Sequence, residues 1–571
     1  MSANRPVSFL FAALTAFALA ATGCSDDTSA DDGSTPSVDA PPGPDADSDA
    51  SSIGDDIGAS DAIGDGIGAS DAIAPDAVTG DAPDPAAVLP IAEALACGTK
   101  AEVGGVPKGT ELARHDLDTT LFPDALCNDG SPAVLYFRPF DGEENRNKWV
   151  IQLKGGGSCR NADDCAQRWC SILTNFGKTQ MVADIQPVPA TGAGAKGILD
   201  RTEATNPFAG YNHVFVNYCS SDMWTGTARD AIADAHVPCD PIVEGATCPD
   251  GSACPGSEAG FGAGVCLGSP VQYRIHFLGS RIVDAVIGTL RQDAVPALVE
   301  GGVALPDLDD AVHVVLAGAS AGGAGVTHNL DRVASLLREQ NTGCAGGSAP
   351  EECPLVVDGL IDSIFSPSTE ELDFEESRFC TDLGACTWEA FQQGQWAIDQ
   401  DGLWKKSGDA SCEAWHAANE PGTEWHCAET SHVIAHHVTT PFFLRMGLVD
   451  SLISGNLLSM GLYVGEEEPF DTPLEFATLL QPQLAWFSTW AAEAEEGSDA
   501  YASPGVFAPA CSKHETISSG PDIYEATIDV GGTPRHFFDI WNFWKAGGAT
   551  PAVVVSKGLA DSVCPTSADI P

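Results

Sequence analysis

VHVVLAGASAGGAGVTHNLDRVASLL, residues 312–337, changes its hydrophobic period halfway along. Val312, Val314, Val315 and Leu316 make the β-branched apolar run of a buried strand, whereas Val326, Leu330, Val333 and Leu337 recur on one helical face. Between them stands Gly318-Ala319-Ser320-Ala321-Gly322, the only GxSxG of the chain. The reading is a strand over Val312–Leu316, a sharp turn, and a helix over Gly323–Leu337. Glycine on either side of Ser320 removes side chains that would clash where strand and helix approach. The turn presents the serine hydroxyl at a helix N-terminus, where the positive end of the dipole favours developing negative charge. The five-residue motif is weak by itself; its context makes Ser320 a nucleophile candidate.

From Ala96 onward, short apolar runs alternate with helical patterns, which predicts a mainly parallel sheet with helices on both faces. Trp149–Leu153 reads as a strand running into Lys154-Gly155-Gly156-Gly157. Val214–Tyr218 reads as another, running into Cys219-Ser220-Ser221-Asp222; such turns after strands are where α/β folds place ligands. Tyr273–Leu290 carries Phe277, Ile282, Ala285, Val286 and Leu290 at helical spacing. Ahead of it, Cys239–Cys266 is a glycine-rich stretch with four cysteines and reads as a disulfide-stapled surface insertion.

A serine hydroxyl is a poor nucleophile until a base takes its proton, so a histidine is required, with a carboxylate to fix its tautomer. α/β-Hydrolases supply them in the order Ser, Asp, His. Asp450 closes the strand-like run Pro441–Val449, and His514 follows the apolar run Val506–Cys511. His432, His436 and His437 are rivals, but they precede Asp450 and break that order. An oxyanion needs amide donors, and Gly155–Gly157 after a strand, with Ala321 after the serine, are the candidates.

The ends of the chain read differently. An apolar run over residues 7–20 behind Arg5 is too short to span a bilayer and has the shape of a secretory signal. It closes on Ala21-Thr22-Gly23-Cys24, similar to a bacterial lipobox, so residues 1–23 are expected to be a lipoprotein-type signal peptide and Cys24 a lipid attachment site. Residues 24–95, rich in Asp, Ala, Gly, Ser and Pro, hold the near-repeat IGASDAIGDG, IGASDAIAPD and are expected to be a disordered tether. The folded domain is expected over 96–571. Of 19 cysteines, 18 remain once Cys24 is set aside, an even number that suits up to nine disulfides in an oxidising compartment, with pairings left open. The cysteines form no CxxC pair, so no metal is expected. Positions 96–571 hold 64 acidic against 26 basic residues, a net −38 that excludes a nucleic-acid partner.

Several separated motifs resemble those of the pectin acetylesterase and Notum carboxylesterases. They are Cys127-Asn128-Asp129-Gly130-Ser131-Pro132, Lys154-Gly155-Gly156-Gly157-Ser158-Cys159, and Tyr218-Cys219-Ser220-Ser221-Asp222-Met223-Trp224-Thr225-Gly226. Ala317–Gly323 with Asn329–Val333, the run ending at Asp450, and Pro509–Glu515 complete the set in order. The resemblance implies an α/β-hydrolase-like, disulfide-rich domain with Ser320 as nucleophile, Asp450 as orienting acid and His514 as base. It also implies the amides of Gly156, Gly157 and Ala321 as oxyanion donors, and Ser221, Asp222 and Trp224 near the substrate. Two departures concern substrate: Gly157 stands where Notum carries a large aromatic, and the Cys239–Cys266 insertion lies outside the usual pattern.

The implied activity is carboxylic ester hydrolysis without a cofactor, with O-acetyl groups on a pectin-like polysaccharide as the leading substrate. Longer acyl chains on lipids or lipidated proteins are the alternative. A non-catalytic surface lipoprotein binding glycan through Trp224, Trp541 and Trp544 is a third reading. A monomer is expected, extracytoplasmic, touching a membrane only through its N-terminal lipid.

Overall fold

The computed structural model describes residues 85–565 except for several segments, the longest being 98–110, 460–471 and 494–503. Positions 1–84, including Cys24, lie outside the described residues. Ten strands form the main sheet: β1 (Leu112–Asp116), β2 (Val134–Arg138), β3 (Lys148–Leu153), β4 (Gly192–Ala193), β5 (Asn212–Val216), β6 (His313–Ala319), β7 (Val356–Asp362), β8 (Phe442–Arg445), β9 (Gly505–Ala508) and β10 (Val553–Val555). Their order across the sheet is β10-β9-β8-β7-β6-β3-β5-β2-β1-β4. From β10 through to β5 every pairing is parallel; β5–β2, β2–β1 and β1–β4 are antiparallel.

That order has one reversal with a chemical consequence. The chain leaves β3 for β5 on one side, then returns to place β6 on the other side of β3 and builds outward through β10. The C-terminal ends of β3 and β6 therefore flank a topological switch point, where open α/β sheets form their ligand crevice. Lys154–Gly157 leaves one of these ends and Ser320 the other.

Successive side chains on a strand face opposite sides of a sheet. In β8 Phe442 meets Phe487 of the helix Pro473–Glu493, whereas Phe443 meets Phe537, Trp541 and Trp544 of the helix Phe537–Ala546. Helices thus cover both faces, as the alternating pattern predicts. The strand–turn–helix around Ser320 is present, with the helix starting earlier and ending later than its apolar face alone suggests, at Ala321–Gln340.

Two boundaries differ from expectation. Tyr273–Phe277 is strand, and the helix covers only Gly279–Leu290. Tyr273, Ile275 and Phe277 alternate and are all fully buried, a period of two that overrides the helical spacing of Phe277. These residues belong to a long antiparallel ribbon, Ala228–Cys239 against Gly264–Phe277, with the Cys239–Cys266 insertion at its tip. The tip is stapled by Cys239–Cys254 and Cys248–Cys266. The tether boundary at residue 95 lies too late: Pro85–Leu95 is ordered, Ile91 and Leu95 are buried, and the Arg274 amide donates to the Leu89 carbonyl at 2.8 Å. An acidic, proline-rich stretch upstream masks this short apolar anchor in the sequence.

All 18 cysteines downstream of Cys24 pair, in nine disulfides; besides the two at the ribbon tip these are Cys97–Cys170, Cys127–Cys219, Cys159–Cys165, Cys344–Cys353, Cys380–Cys386, Cys412–Cys427 and Cys511–Cys564. Cys127–Cys219 closes 92 residues and joins two of the resemblance motifs directly.

The glycines of the serine turn are sterically required. A Cβ on Gly318 would run into the Gly322 carbonyl, and one on Gly322 into the Leu153 carbonyl. Gly318→Ala or Gly322→Ala is therefore expected to lower stability by about 1–3 kcal/mol, the usual range for overpacking a close-packed site. Gly394→Ala, in the helix Trp388–Gln400 with open space at its Cβ, should be neutral or slightly stabilising. Urea unfolding midpoints of the three variants check this, and equal losses at all three positions would contradict it.

Candidate active site

Ser320 sits between β6 and its helix with φ 54° and ψ −126°, a left-handed conformation that a non-glycine residue holds only under constraint. Its amide donates to the Asp362 carbonyl at 2.9 Å, and Asp362 is the last residue of β7, in register with Ala319. The residue is nearly buried, 6% exposed.

Asp450 lies beyond β8, in the turn that opens the helix Ser451–Ser459. The strand ends at Arg445, earlier than the apolar run through Val449 suggests. The Asp450 carboxylate is fully buried, and its Oδ1 accepts from the amides of Leu452 and Ile453, both at 3.1 Å. Both carboxylate oxygens lie 2.9 Å from His514 Nδ1. A carboxylate only accepts, so Nδ1 carries the proton and the Nε2 lone pair of the neutral ring is left available. His514 Nε2 is buried and has no hydrogen-bond partner among the described residues.

The loop carrying His514 is tied to the sheet edge that carries Ser320. The amide of Glu515 donates to Ser363 Oγ at 3.1 Å, and that of Ile517 to Asp362 Oδ2 at 3.0 Å. Thr516 Oγ1 donates to the same carboxylate at 3.3 Å, and Arg445 Nη1 reaches both Asp362 Oδ1 and the Lys513 carbonyl at 3.4 Å. Asp362 and Arg445 were not singled out in the sequence. Their signal would have been an acid and a base ending neighbouring strands, buried to 0% and 1% in side-chain exposure.

Burial disfavours a charged His514, but the charge and hydrogen bonds of Asp450, with Glu515 and Asp362 behind them, outweigh it and raise the ring to about 9. Glu515 moves upward because it is buried. Lys154, also buried, falls to about 8 despite the opposing pull of Glu515.

Beside this, the Lys154–Ser158 turn has its carbonyls held from behind. Arg168, wholly buried, donates to the Gly156 carbonyl at 2.5 Å and the Ser158 carbonyl at 3.3 Å, and Trp224 Nε1 donates to the Lys154 carbonyl at 3.0 Å. In a planar trans peptide the next amide points the opposite way, so the Gly157 N–H faces away from Arg168. Gly156 and Gly157 have φ of 141° and 62°, and a Cβ on Gly156 would press on Gln180. The Ala321 amide opens a helix and has no intrahelical acceptor.

Ser221, Asp222 and Trp224 lie beside the glycine turn, on the side of the Lys154 carbonyl. All three are fully buried. Asp222 accepts from Ser220 Oγ at 2.6 Å and from the amides of Gly279 and Trp224 at 2.8 and 3.0 Å; burial pushes its carboxyl up to about 6. Trp224 packs on Tyr218 and against Gly325. Three non-glycine residues of positive φ flank Asp222 where this turn bends: Ser221 at 52°, Met223 at 54° and Trp224 at 65°. Ser221, Asp222 and Trp224 thus form a brace behind the glycine turn, with Met223 between them half-buried. Trp541, 2% exposed and packed on Phe208, is likewise unavailable for stacking a glycan. The rival histidines assemble around one another: His432 is pulled down to about 2, first by burial and then by His436, His426, His437 and His416.

A mainly parallel sheet, a strained serine between strand and helix at its switch point, and an Asp–His pair with a buried carboxylate on the same edge define an α/β-hydrolase-like protein. In sequence the chain is similar to pectin acetylesterases and Notum carboxylesterases, the two groups that its motifs resemble. A family model described as pectinacetylesterase matches residues 111–238. Palmitoleoyl-protein carboxylesterase notum2 of Xenopus laevis is 27% identical over 414 residues, covering 72% of this chain and 63% of the relative. NOTUM of Schmidtea mediterranea is 25% identical, covering 74% of this chain and 62% of the relative; NOTUM of Mus musculus is 31% identical over 224 residues, 39% and 32%. The alignments thus span less than two thirds of these relatives' length. The crystal structure of the Wnt deacylase Notum from Drosophila aligns over 78% of this chain and 97% of its own, at 21% identity and a TM-score of 0.49.

A folded-state histidine raised above its unfolded value stabilises the protein below that value and loses the contribution as pH climbs through the raised one. For His514 the contribution is complete below about 6.5 and lost through about 9. Thermal midpoints measured from pH 6 to 10 should therefore fall more steeply for the wild type than for His514→Gln. Parallel curves would show that the Asp450–His514 pair adds nothing to stability.

Proposed function

We propose that the protein is a carboxylic ester hydrolase acting through an acyl-enzyme on Ser320. The observation that carries this is His514: a largely buried imidazole with its Nδ1 proton directed at Asp450 and a buried, unengaged Nε2, on the sheet edge where Ser320 is strained into its turn. Ser320 Oγ attacks the ester carbonyl carbon while its proton passes to His514 Nε2. The oxyanion accepts from the amides of Gly156, Gly157 and Ala321, each worth about 3–4 kcal/mol. Collapse breaks the bond to the alcohol, which leaves with the proton from Nε2; water, activated by the same nitrogen, then releases the acid.

The substrate we favour is an O-acetyl group on a polysaccharide, an acetylated neutral glycan ahead of anionic pectin itself. A deacylase for longer chains is the second reading, supported by the relatives named palmitoleoyl-protein carboxylesterases. Export suits the nine disulfides. We extend it to a signal over 1–23, a lipid on Cys24 and an acidic tether that holds the domain off a surface.

A p-nitrophenyl ester series with acetylated xylan and acetylated pectin tests the reading. Turnover confined to acetate and propionate, with acetylated glycan cleaved and Ser320→Ala reduced by about 10⁴-fold or more, is the expected result. A preference for octanoate would move the assignment to the second reading, and full activity in Ser320→Ala would end both.

The base works only when unprotonated, so kcat/KM should rise with pH through an apparent pKa near 9, well above the ordinary 6.5. Asp450→Asn should move the inflection down. A flat profile from pH 5 to 9 with chemistry rate-limiting would contradict a histidine base.

A further inference from the structure

Between β7 and β8 the chain makes a helical excursion whose histidines the proposed reaction does not use. The helix Ala410–Asn419 carries His416, the turn Glu424–Ala428 carries His426, and the helix Thr430–His436 carries His432 and His436, with His437 at its end. Cys412–Cys427 ties the first of these elements to the second. His416, His432 and His437 direct ring nitrogens into one space, where these atoms and the Cys412 sulfur all lie within 4.8 Å of one another. The sulfur is consumed by its disulfide, so three imidazoles remain as donors.

Hydrogen bonding fixes which nitrogen of His416 is the donor. Thr423 Oγ1 gives its single proton to the Glu420 carbonyl at 2.6 Å, so toward His416 Nδ1, 2.7 Å away, it accepts. Nδ1 therefore carries the ring proton, and the lone pair sits on Nε2, pointing at His432 Nε2 only 3.1 Å away. Tetrahedral zinc at about 2.0–2.1 Å from each imidazole holds neighbouring ligand nitrogens about 3.3 Å apart. A histidine ligand whose other nitrogen donates to a fixed acceptor is the usual outer arrangement of such centres, and Thr423 supplies that acceptor. His426, stacked on His416 at 5.2 Å and on Trp425 at 3.9 Å, walls the space.

We propose that His416, His432 and His437 form a binding site for one zinc-class divalent cation, with a fourth position open to water. Imidazole donors select zinc, copper or nickel over magnesium and calcium. The cation would act by cross-linking the helix Ala410–Asn419 to the helix Thr430–His436 and its C-terminal end, away from the ester chemistry. The same excursion grips the serine's helix, since the amides of Thr439 and Thr440 donate to Asp331 at 2.8 and 2.7 Å. The site thus steadies the support of the Ser320 helix, and its test needs no assay of hydrolysis.

Untagged full-length protein, stripped with chelator and dialysed against zinc, is expected to retain one equivalent by elemental analysis. Cobalt in place of zinc should give the intense visible absorption of a tetrahedral centre. His432→Gln should lower occupancy tenfold or more, and Thr423→Val, which keeps the ligands and removes the hydroxyl that orients His416, should weaken zinc binding at least tenfold. His236→Gln, a histidine paired with Asp163 elsewhere, should retain the full equivalent. Less than a tenth of an equivalent on the folded wild type, or unchanged zinc in both His432→Gln and Thr423→Val, overturns the proposal.

Discussion

The carboxylate and carbonyl of Asp362 hold the two halves of the site in one frame. The carbonyl accepts the Ser320 amide and so supports the strained serine, while the carboxylate accepts Ile517 and Thr516 and so supports the loop of His514. One residue at the end of β7 thereby sets the serine turn and the histidine loop relative to a single strand. The cost is a buried charge, matched by Arg445 on the adjacent strand, itself buried and shared with the Lys513 carbonyl. A pair of this kind is a weak source of net stability, but loss of one partner leaves the other charge unmatched. The constraint is thus one of position more than of strength. Neighbouring strain fits this view: Ser320, Ser363 and Glu515 all hold positive φ, between 54° and 58°, within this frame.

Much of the fold was legible because its signals are local. A β-branched run followed by a 3.6-residue period gives strand and helix around Ser320, and the glycines of that turn follow from contacts only a few residues apart, Gly318 against Gly322. Tyr273–Phe277 escaped because five residues of alternation were read inside a longer apolar stretch. Disulfide pairing was not legible, since Cys127–Cys219 joins residues 92 apart and depends on tertiary approach alone. The roles of Asp362, Arg445 and Arg168 were hidden for the same reason. A charged residue at a strand end is ordinary in sequence, and only burial shows that its partners lie in other strands and loops. Ser221, Asp222 and Trp224 carry the opposite lesson. A polar motif after a strand reads as a ligand site, and what only the fold adds is that its polar atoms close on one another and on the backbone and brace the neighbouring turn.

The buried brace also bears on which ester fits the proposed chemistry. With a net charge of −38, the domain from Ala96 onward repels an anionic glycan over roughly a Debye length, about 10 Å at 0.1 M salt. Lys154, Arg160 and Arg168 are the cations near the glycine turn that would offset this repulsion. Arg168 is fully buried and spends its donors on the carbonyls of Gly156 and Ser158. Lys154 is buried beside Glu515, and the Arg160 guanidinium lies over the Trp404 ring, 5.9 Å from its centre. Cations that shape the turn from behind keep their charge but hold their donors on its backbone, away from a carboxylate in front of it. The same arrangement that aims the Gly157 amide outward therefore turns the Arg168 donors away from any carboxylate in front of the turn, which, under the proposed chemistry, suits an uncharged acetylated sugar better than polygalacturonate.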